Sequence, residues 1–397
     1  MTPGALGGLR VVDVGRLVGG PFAATVLAEL GADVVKIESP DGGDPLRRVG
    51  VPVDGDRSCA WIVDGRNKRS LTLDLRADGG RALLHDLVAV ADVLIENSRP
   101  GWLESIGLAD AARERLNPRL VTARISGYGQ TGPSAHLPGL DRQAVAVSGV
   151  ATLTGEAGGA PVKPGVFVAD YSTGLCAATL VLAALHHRDN VSGRGQTVDL
   201  GLFEFPLRMT ADWIPEYQVT GRARPRVGNG SEAVAPSGAF ECADGVWLMI
   251  ACSTDGAWER MAGLVGVPVT EREALRDGSQ RVQRRDEVNR YVGLWVAERV
   301  AADVEQSLIA ADLPVARFYE PDDVLGDEHF AERGSLVATD VGGRSIAVPA
   351  PAGRLSASPA EVRWPGPHLG EHTEEVLHDW LGLDQEAMAR LRRDGVI

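Results

Sequence analysis

Short β-branched runs alternate with helical stretches through the first third of the chain. Residues 9–14, 33–38, 70–75, 92–96 and 120–125 read as strands, because apolar and β-branched side chains cluster there between turn-forming residues. Residues 21–30 read as a helix, with Pro21 in its first turn and Gly31 just past its last periodic position. Strands as uniformly apolar as Asp33-Val-Val-Lys-Ile37 belong to a parallel sheet covered by helices on both faces. The pattern predicts an α/β fold.

Farther along, residues 165–170 lead as an extended stretch into residues 174–186, apolar on nearly every side and rich in helix formers, which predicts a buried helix. Residues 196–201 form another strand. Gly, Pro, Arg and Ser without periodicity mark residues 222–237 as linker and loop. Beyond them, residues 238–242 and 246–252 flank Ala243-Asp-Gly, a β-hairpin signal that opens a second domain. Helical periodicity covers residues 258–265, 286–299 and 302–311, and a further hairpin turns at Gly342-Gly343. Residues 349–367 are Pro-rich and extended, and helices at 372–381 and 385–393 end the chain.

With 397 residues, 44% of them apolar and 24% charged, the chain buries a large core and has room for about two domains. The formal charge of −14 gives a bulk field that repels nucleic acid and anionic lipid, while leaving room for a small anion at a local cluster of cations. Cys59, Cys176, Cys242 and Cys252 are scattered without a C-x-x-C, which fits neither a disulfide framework nor a zinc knuckle. The first ten residues lack the basic start and apolar core of a signal peptide, so a cytoplasmic protein is expected.

The chemistry narrows on one acid. The turn after the first strand, Gly15-Arg-Leu-Val-Gly-Gly20, matches neither G-x-G-x-x-G nor a P-loop. His368 and His372 stand four apart, but Pro365, Pro367 and Gly370 break any helix there, so no metal site is expected. Asp170 directly precedes the most apolar helix of the chain. It reads either as an ordinary N-cap or as a nucleophile kept ionised by helix-terminal N–H groups, which would also stabilise an attacked carbonyl.

A set of motifs carries a family resemblance. They are Gly8-Leu-Arg-Val-Val-Asp13, Gly20-Pro21, Leu30-Gly-Ala-Asp-Val-Val-Lys-Ile-Glu38, Asn67-Lys-Arg-Ser70, Leu73-Asp-Leu-Arg76, Ala91-Asp-Val-Leu-Ile-Glu-Asn97, Arg99-Pro-Gly101, Ser126-Gly-Tyr-Gly-Gln130, Ala169-Asp170, Gly193-Arg-Gly-Gln196 and Leu369-Gly-Glu-His-Thr373. In number and order they resemble the class III CoA-transferases, the group that includes formyl-CoA and carnitine CoA-transferases and the 2-methylacyl-CoA racemases. The segment after Asp170 is most similar to the carnitine branch.

The resemblance implies a large Rossmann-like domain with a parallel sheet, built from residues 1–221 and a return segment, 331–397. A smaller α+β domain, residues 222–330, is inserted between them, and two chains interlock as a homodimer. It implies that Asp170 attacks an acyl-CoA thioester to give a mixed anhydride and then an aspartyl-CoA thioester, from which a second carboxylic acid leaves as its CoA ester. Coenzyme A contacts are implied at Val18, Gly19, Leu73, Arg76, Asn97, Ser98, Arg99, Leu140 and Asp141, with no metal and no permanently bound cofactor. Arg76 and Arg99 also suit phosphate on chemical grounds.

Departures from the family pattern refine the expectation. Val18 replaces the glutamine of formyl-CoA transferases, and Gly228-Asn-Gly-Ser-Glu-Ala-Val-Ala235 stands where their glycine-rich lid would be, which argues against formyl-CoA and oxalate. Leu140 stands where the racemases carry a histidine, and leucine moves no proton; His136 would replace it only in a rebuilt loop. Acyl-CoA:carboxylate CoA-transfer is the expected activity; α-proton racemisation and a non-catalytic CoA-binding paralogue are the alternatives. Trp213, Tyr217, Trp247 and Trp258 are either core aromatics or the wall of an acyl or cationic pocket.

Overall fold

The structure, a computed structural model, describes residues 4–397. Six parallel strands form its main sheet: β1 (Arg10–Asp13), β2 (Asp33–Glu38), β3 (Lys68–Thr72), β4 (Val93–Glu96), β5 (Val121–Ser126) and β6 (Thr197–Gly201). They lie in the order β3-β2-β1-β4-β5-β6. Val12 faces Val35 on one side and Leu94 on the other, and all three are wholly buried. Burying each such side chain contributes about 1.5–3 kcal/mol. The strand order reverses direction between β1 and β4, and at that point the carboxyl ends of the strands open a crevice where α/β sheets take their ligands.

Helix α1 (Gly19–Glu29) follows β1 and is buried along most of its length. Helix α2 (Asp141–Val147) and helix α3 (Val168–His187) come later in the chain. A Cβ on Gly174 would come 2.7 Å from the Gly19 carbonyl oxygen, so glycine is what lets α3 approach α1 this closely. The apolar stretch Val168–Ser192 is, by length and composition, the one helix among the described residues that would span a membrane. Its buried face, including Ala177, Ala178 and Val181, is part of the protein interior.

Two compact units emerge. The first comprises the chain up to Val150, Lys163–Ile214 and His329–Ile397; the second comprises Ala151–Val162 and Pro215–Glu328. A short segment expected in the large domain, Ala151–Val162, therefore groups with the insert. In the second unit β7 (Ser237–Glu241), β8 (Trp247–Ala251) and β9 (Val315–Arg317) form an antiparallel sheet in the order β9-β8-β7. Helices α4 (Asp255–Leu264), α5 (Arg285–Ala297) and α6 (Ala301–Ala310) share its core, with Trp258 wholly buried there.

The return segment forms a hairpin, β10 (Leu336–Val341) and β11 (Arg344–Pro349), that turns at Gly342 and Gly343, both at positive φ. It ends in helices α7 (Thr373–Leu381) and α8 (Gln385–Arg393). Val376, Leu377 and Trp380 of α7 enter the same apolar core as Val12, Val35 and Leu71, and Trp380 donates from its indole nitrogen to Asp33 Oδ2 at 2.9 Å. The two ends of the chain thus complete one unit.

Several boundaries shift by a few residues from the sequence reading, and two of the shifts matter here. Strand β3 occupies residues 68–72 rather than 70–75, because past Thr72 the backbone leaves the sheet and the Asp74 N–H bonds to the Val396 carbonyl near the chain end. Helix α3 begins at Val168, so Asp170 lies inside the first helical turn and does not end an extended stretch.

Candidate active site

The turn between β1 and α1 is fixed from several sides. Asp13 Oδ1 accepts from the Gly15 N–H at 2.9 Å. Asp44 Oδ1 accepts from the Leu17 N–H at 3.0 Å, holding Leu17 at φ 62°, a left-handed conformation uncommon for a branched side chain. Asn97, just past β4, brackets the Arg16 peptide: its Oδ1 accepts from the Arg16 N–H at 2.7 Å and its Nδ2 donates to the Arg16 carbonyl at 2.8 Å. The two strands that flank the crevice are therefore tied together at its mouth.

Beneath this turn sits a wholly buried ionic cluster. Lys36 Nζ lies 3.0 Å from Asp44 Oδ2 and 3.5 Å from Asp13 Oδ1, and it also donates to the Gly15 carbonyl. Lys68 Nζ lies 3.0 Å from Asp13 Oδ2 and donates to the Pro21 carbonyl at 2.7 Å. Burial pulls the Lys36 amino group down, but Asp13, Asp44 and Glu38 outweigh it and hold the group above the ordinary lysine range. Charges this deep persist only as a matched set, and this set ends on backbone atoms of the turn.

Asp170 projects from the first turn of α3 toward that turn. A Cβ on Gly19 would sit 3.1 Å from Asp170 Oδ1 and 3.3 Å from Leu202 Cδ2. Among the described residues the Asp170 carboxylate accepts no hydrogen bond. Burial, and next the neighbouring Asp141 carboxylate, push it up to about 7. The expectation that helix-terminal N–H groups keep Asp170 ionised is therefore corrected. Those donors are taken by Asp141 of α2, whose Oδ1 accepts from the Ala169 N–H at 2.8 Å and the Asp170 N–H at 3.2 Å. Asp170 is not the cap of this helix; Asp141 supplies the capping oxygen.

The neighbouring side chains are fully engaged. The Tyr171 hydroxyl donates to Asp64 Oδ2 at 2.9 Å, and the Phe22 ring meets the Tyr171 ring edge-on at 4.8 Å. The loop from Gly127 to Leu140 folds back on itself because Gly127 and Gly139 touch: a Cβ on Gly139 would fall 2.7 Å from the Gly127 Cα. That contact carries Pro138, Gly139 and Leu140 to the rim beside Ser126, while His136 is exposed and outside the cavity.

A cavity of about 590 Å³ opens here, lined by Val18, Gly19, Asn97, Ser98, Arg99, Leu140 and Asp170 among others. A second, of about 460 Å³, holds Leu73 and Arg76 and shares Arg16 and Ser98 with the first. Between them the two cavities are lined by every residue expected at the site except Asp141, which is buried against the start of α3, bonded to the Asp170 N–H, and lines neither. Arg76 is exposed and already paired with Asp41 at 2.6 Å and Asp74 at 2.8 Å.

The sequence reading missed Arg16, which lines both cavities, and Arg48, which lines the second. Among the described residues neither of these, nor Arg99, has a carboxylate partner; Arg48 donates to the Gly42 carbonyl, and three guanidiniums thus stand without a counter-charge around the crevice of an acidic protein. Their place just after β1, in the short turn Pro45–Arg48 that follows Gly43-Asp44, and just after β4 was the signal that would have found them. Such cations suit the phosphates of an extended anionic ligand. His368 does not pair with His372; its Nδ1 meets Asp56 Oδ1 at 2.6 Å. Of the aromatic candidates, Trp258 is core and Trp213 packs over Gly149.

Comparisons with known proteins agree with this geometry. Residues 6–373 match CoA-transferase family III. The chain is 41% identical to the beta subunit of a succinyl-CoA–L-malate CoA-transferase from Chloroflexus aurantiacus, over 99% of this chain and 98% of that one. It is 32% identical to a succinate–glutarate CoA-transferase from Agrobacterium fabrum, over 96% of this chain and 97% of that one. A crystal structure of a CAIB/BAIF family protein from Brucella suis superposes with a TM-score of 0.84 at 31% identity, covering 96% of this chain and all of that one (100%).

Proposed function

The chain belongs to CoA-transferase family III, an enzyme that transfers coenzyme A from an acyl-CoA to a carboxylic acid, and we propose that it does so by covalent capture on Asp170. An Asp170 oxygen attacks the thioester carbonyl carbon; the C–S bond breaks, leaving a mixed anhydride and the CoA thiolate. The thiolate attacks the Asp170 carbonyl carbon, the donor acid departs as a carboxylate, and Asp170 carries the CoA as a thioester. An acceptor carboxylate then attacks that carbon and expels the thiolate, which takes the acceptor's acyl group and leaves Asp170 as it began. No step consumes a net proton, and the thioester energy is conserved.

The observation that carries this reading is an under-solvated carboxylate on the wall of a cavity large enough for a pantetheine end. With its acid–base midpoint near 7, Asp170 is about half ionised at neutral pH, and lacking donors it gains more from acylation than a solvated carboxylate does. Gly19 is the first residue of α1, so its N–H has no acceptor within the helix and serves the oxygen anion of the tetrahedral intermediate. In this reading Arg16, Arg48, Arg76 and Arg99 hold the phosphates of CoA, Leu73 meets its adenine end, and Val18, Asn97, Ser98 and Leu140 line the pantetheine path.

Succinyl-CoA with malate or glutarate as acceptor is the first pair to assay, following the activities named for the relatives. The reading extends to a cytoplasmic protein that pairs with a second copy of itself and needs no resident cofactor; sedimentation velocity of the purified chain tests the pairing. The mechanism is tested by hydroxylamine trapping during turnover. A hydroxamate at Asp170, located by mass spectrometry, and complete loss of exchange in Asp170→Ala support it; a label elsewhere, or none during confirmed turnover, rejects it.

A further inference from the structure

Asp141 touches the first turn of α3 in a way that capping alone does not require. Its Oδ1 takes the N–H groups of Ala169 and of Asp170 itself, while its Oδ2 is buried with no hydrogen-bond partner. A cap needs one acceptor oxygen, which a serine or asparagine supplies without charge. Here a second negative group is instead placed beside the residue that must act as nucleophile. Charge in a poorly hydrated setting is costly, and the cost is shared by whatever ionises next to it.

We infer that Asp141 is a positioning residue that both takes the helix-start donors away from Asp170 and crowds it with like charge, so that the nucleophile is strained when ionised and relieved when acylated. The inference rests on Asp170 being the covalent residue. Both effects act in one direction: hydrogen bonds from Ala169 and Asp170 would have stabilised the free carboxylate, and a neutral neighbour would have left it unopposed. The anhydride and the thioester carry no charge at Asp170, so forming either removes the repulsion.

The other charged groups around Asp170 do not supply this effect. Tyr171 donates to Asp64, Glu204 beyond β6 accepts from the Gly201 N–H, and Asp199 of β6 accepts from the Gln130 N–H. Arg124 of β5 is bound to Glu96 and Glu104, and α1 presents no titratable side chain before Glu29. Arg16 and Arg99 line the same cavity, but neither acts on the Asp170 carboxylate, which feels only burial and Asp141. Among the described residues Asp141 alone opposes it.

The test is the pH–rate profile of Asp141→Asn and Asp141→Ser beside the unaltered enzyme, with hydroxylamine trapping to read the covalent fraction. Asparagine keeps an acceptor oxygen in the place of Oδ1, while serine offers a shorter one. The expected result is a rate midpoint lowered by about one pH unit, a maximal rate reduced roughly tenfold, and less covalent Asp170 at steady state. An unchanged midpoint in both variants would overturn the inference, leaving Asp141 as a cap. Failure of both to fold would overturn it too, since asparagine keeps the capping oxygen and loses only the charge. Activity surviving in Asp170→Ala would instead strike at the nucleophile itself.

Discussion

Gly19 and Asp170 are in such close approach that a single methyl group placed on the glycine would rest 3.1 Å from the aspartate Oδ1. The contact joins the first turn of α1 to the first turn of α3, the two helix starts that meet at the crevice. Gly19 is a helical residue with ordinary negative φ, so alanine fits its backbone and the change is local.

Gly19→Ala is therefore expected to fold with stability altered by no more than about 1 kcal/mol, since alanine is the better helix former. Its methyl forces the Asp170 carboxylate aside by a few tenths of an ångström. Misplacement of a nucleophile on that scale lowers turnover on the order of 10–100-fold. Steady-state kinetics and a melting curve check this together: a normal turnover number in a normally folded variant would show that the cavity tolerates the shift.

The rate of CoA exchange is expected to rise with pH and level off above a midpoint near 7. Burial and Asp141 hold the Asp170 acid–base midpoint at about 7, and only the ionised carboxylate attacks a thioester. Single-turnover rates of covalent capture across pH 5–9 read this directly, with a slope of about one proton below the midpoint. A profile flat through this range, or one that falls as pH rises, would contradict the assignment of the carboxylate as attacking group.

Lys36→Met is expected to be strongly destabilising, by about 3–5 kcal/mol, because it leaves Asp13 and Asp44 buried with one cation fewer. Adding Asp44→Asn should recover part of that loss, as asparagine keeps an acceptor for the Leu17 N–H without the uncompensated charge. Denaturant titrations of the two single variants and the pair measure the coupling. Strict additivity would mean that Lys36 and Asp44 do not act as a unit.

Some of this was legible in the residues. Strand β2 spans Asp33–Glu38 as its apolar run predicts, and the hairpin turns at Gly342-Gly343 as the paired glycines predict, because each is dictated by neighbours in sequence. Lys36 is the exception within β2: a wholly buried lysine makes sense only once Asp13 from β1 and Asp44 from the following loop are seen around its amino group. The surroundings of Asp170 were likewise hidden. Its helix start is closed by Asp141, a partner 29 residues earlier, and no local pattern marks a cap that comes from another element. The same is true of Arg16 and Arg48, which the strand order brings to one crevice from separate loops.

Asp170→Asn is expected to make the protein inactive and more stable, with a gain that depends on pH in a defined way. The ordinary carboxyl value is 3.8 and the folded one about 7, so the folded state binds more protons than the unfolded chain between those limits. The wild-type fold therefore loses stability as pH rises from about 4 to 7 and changes no further above, whereas the asparagine variant lacks this slope. Their difference should open across that window to about 2–4 kcal/mol and then stay constant. Chemical denaturation at pH 4.5, 6 and 8 checks it. If the variant were less stable than the parent at pH 8, the Asp170 carboxylate would have to be paired in solution, and the under-solvated nucleophile would be the wrong description of this site.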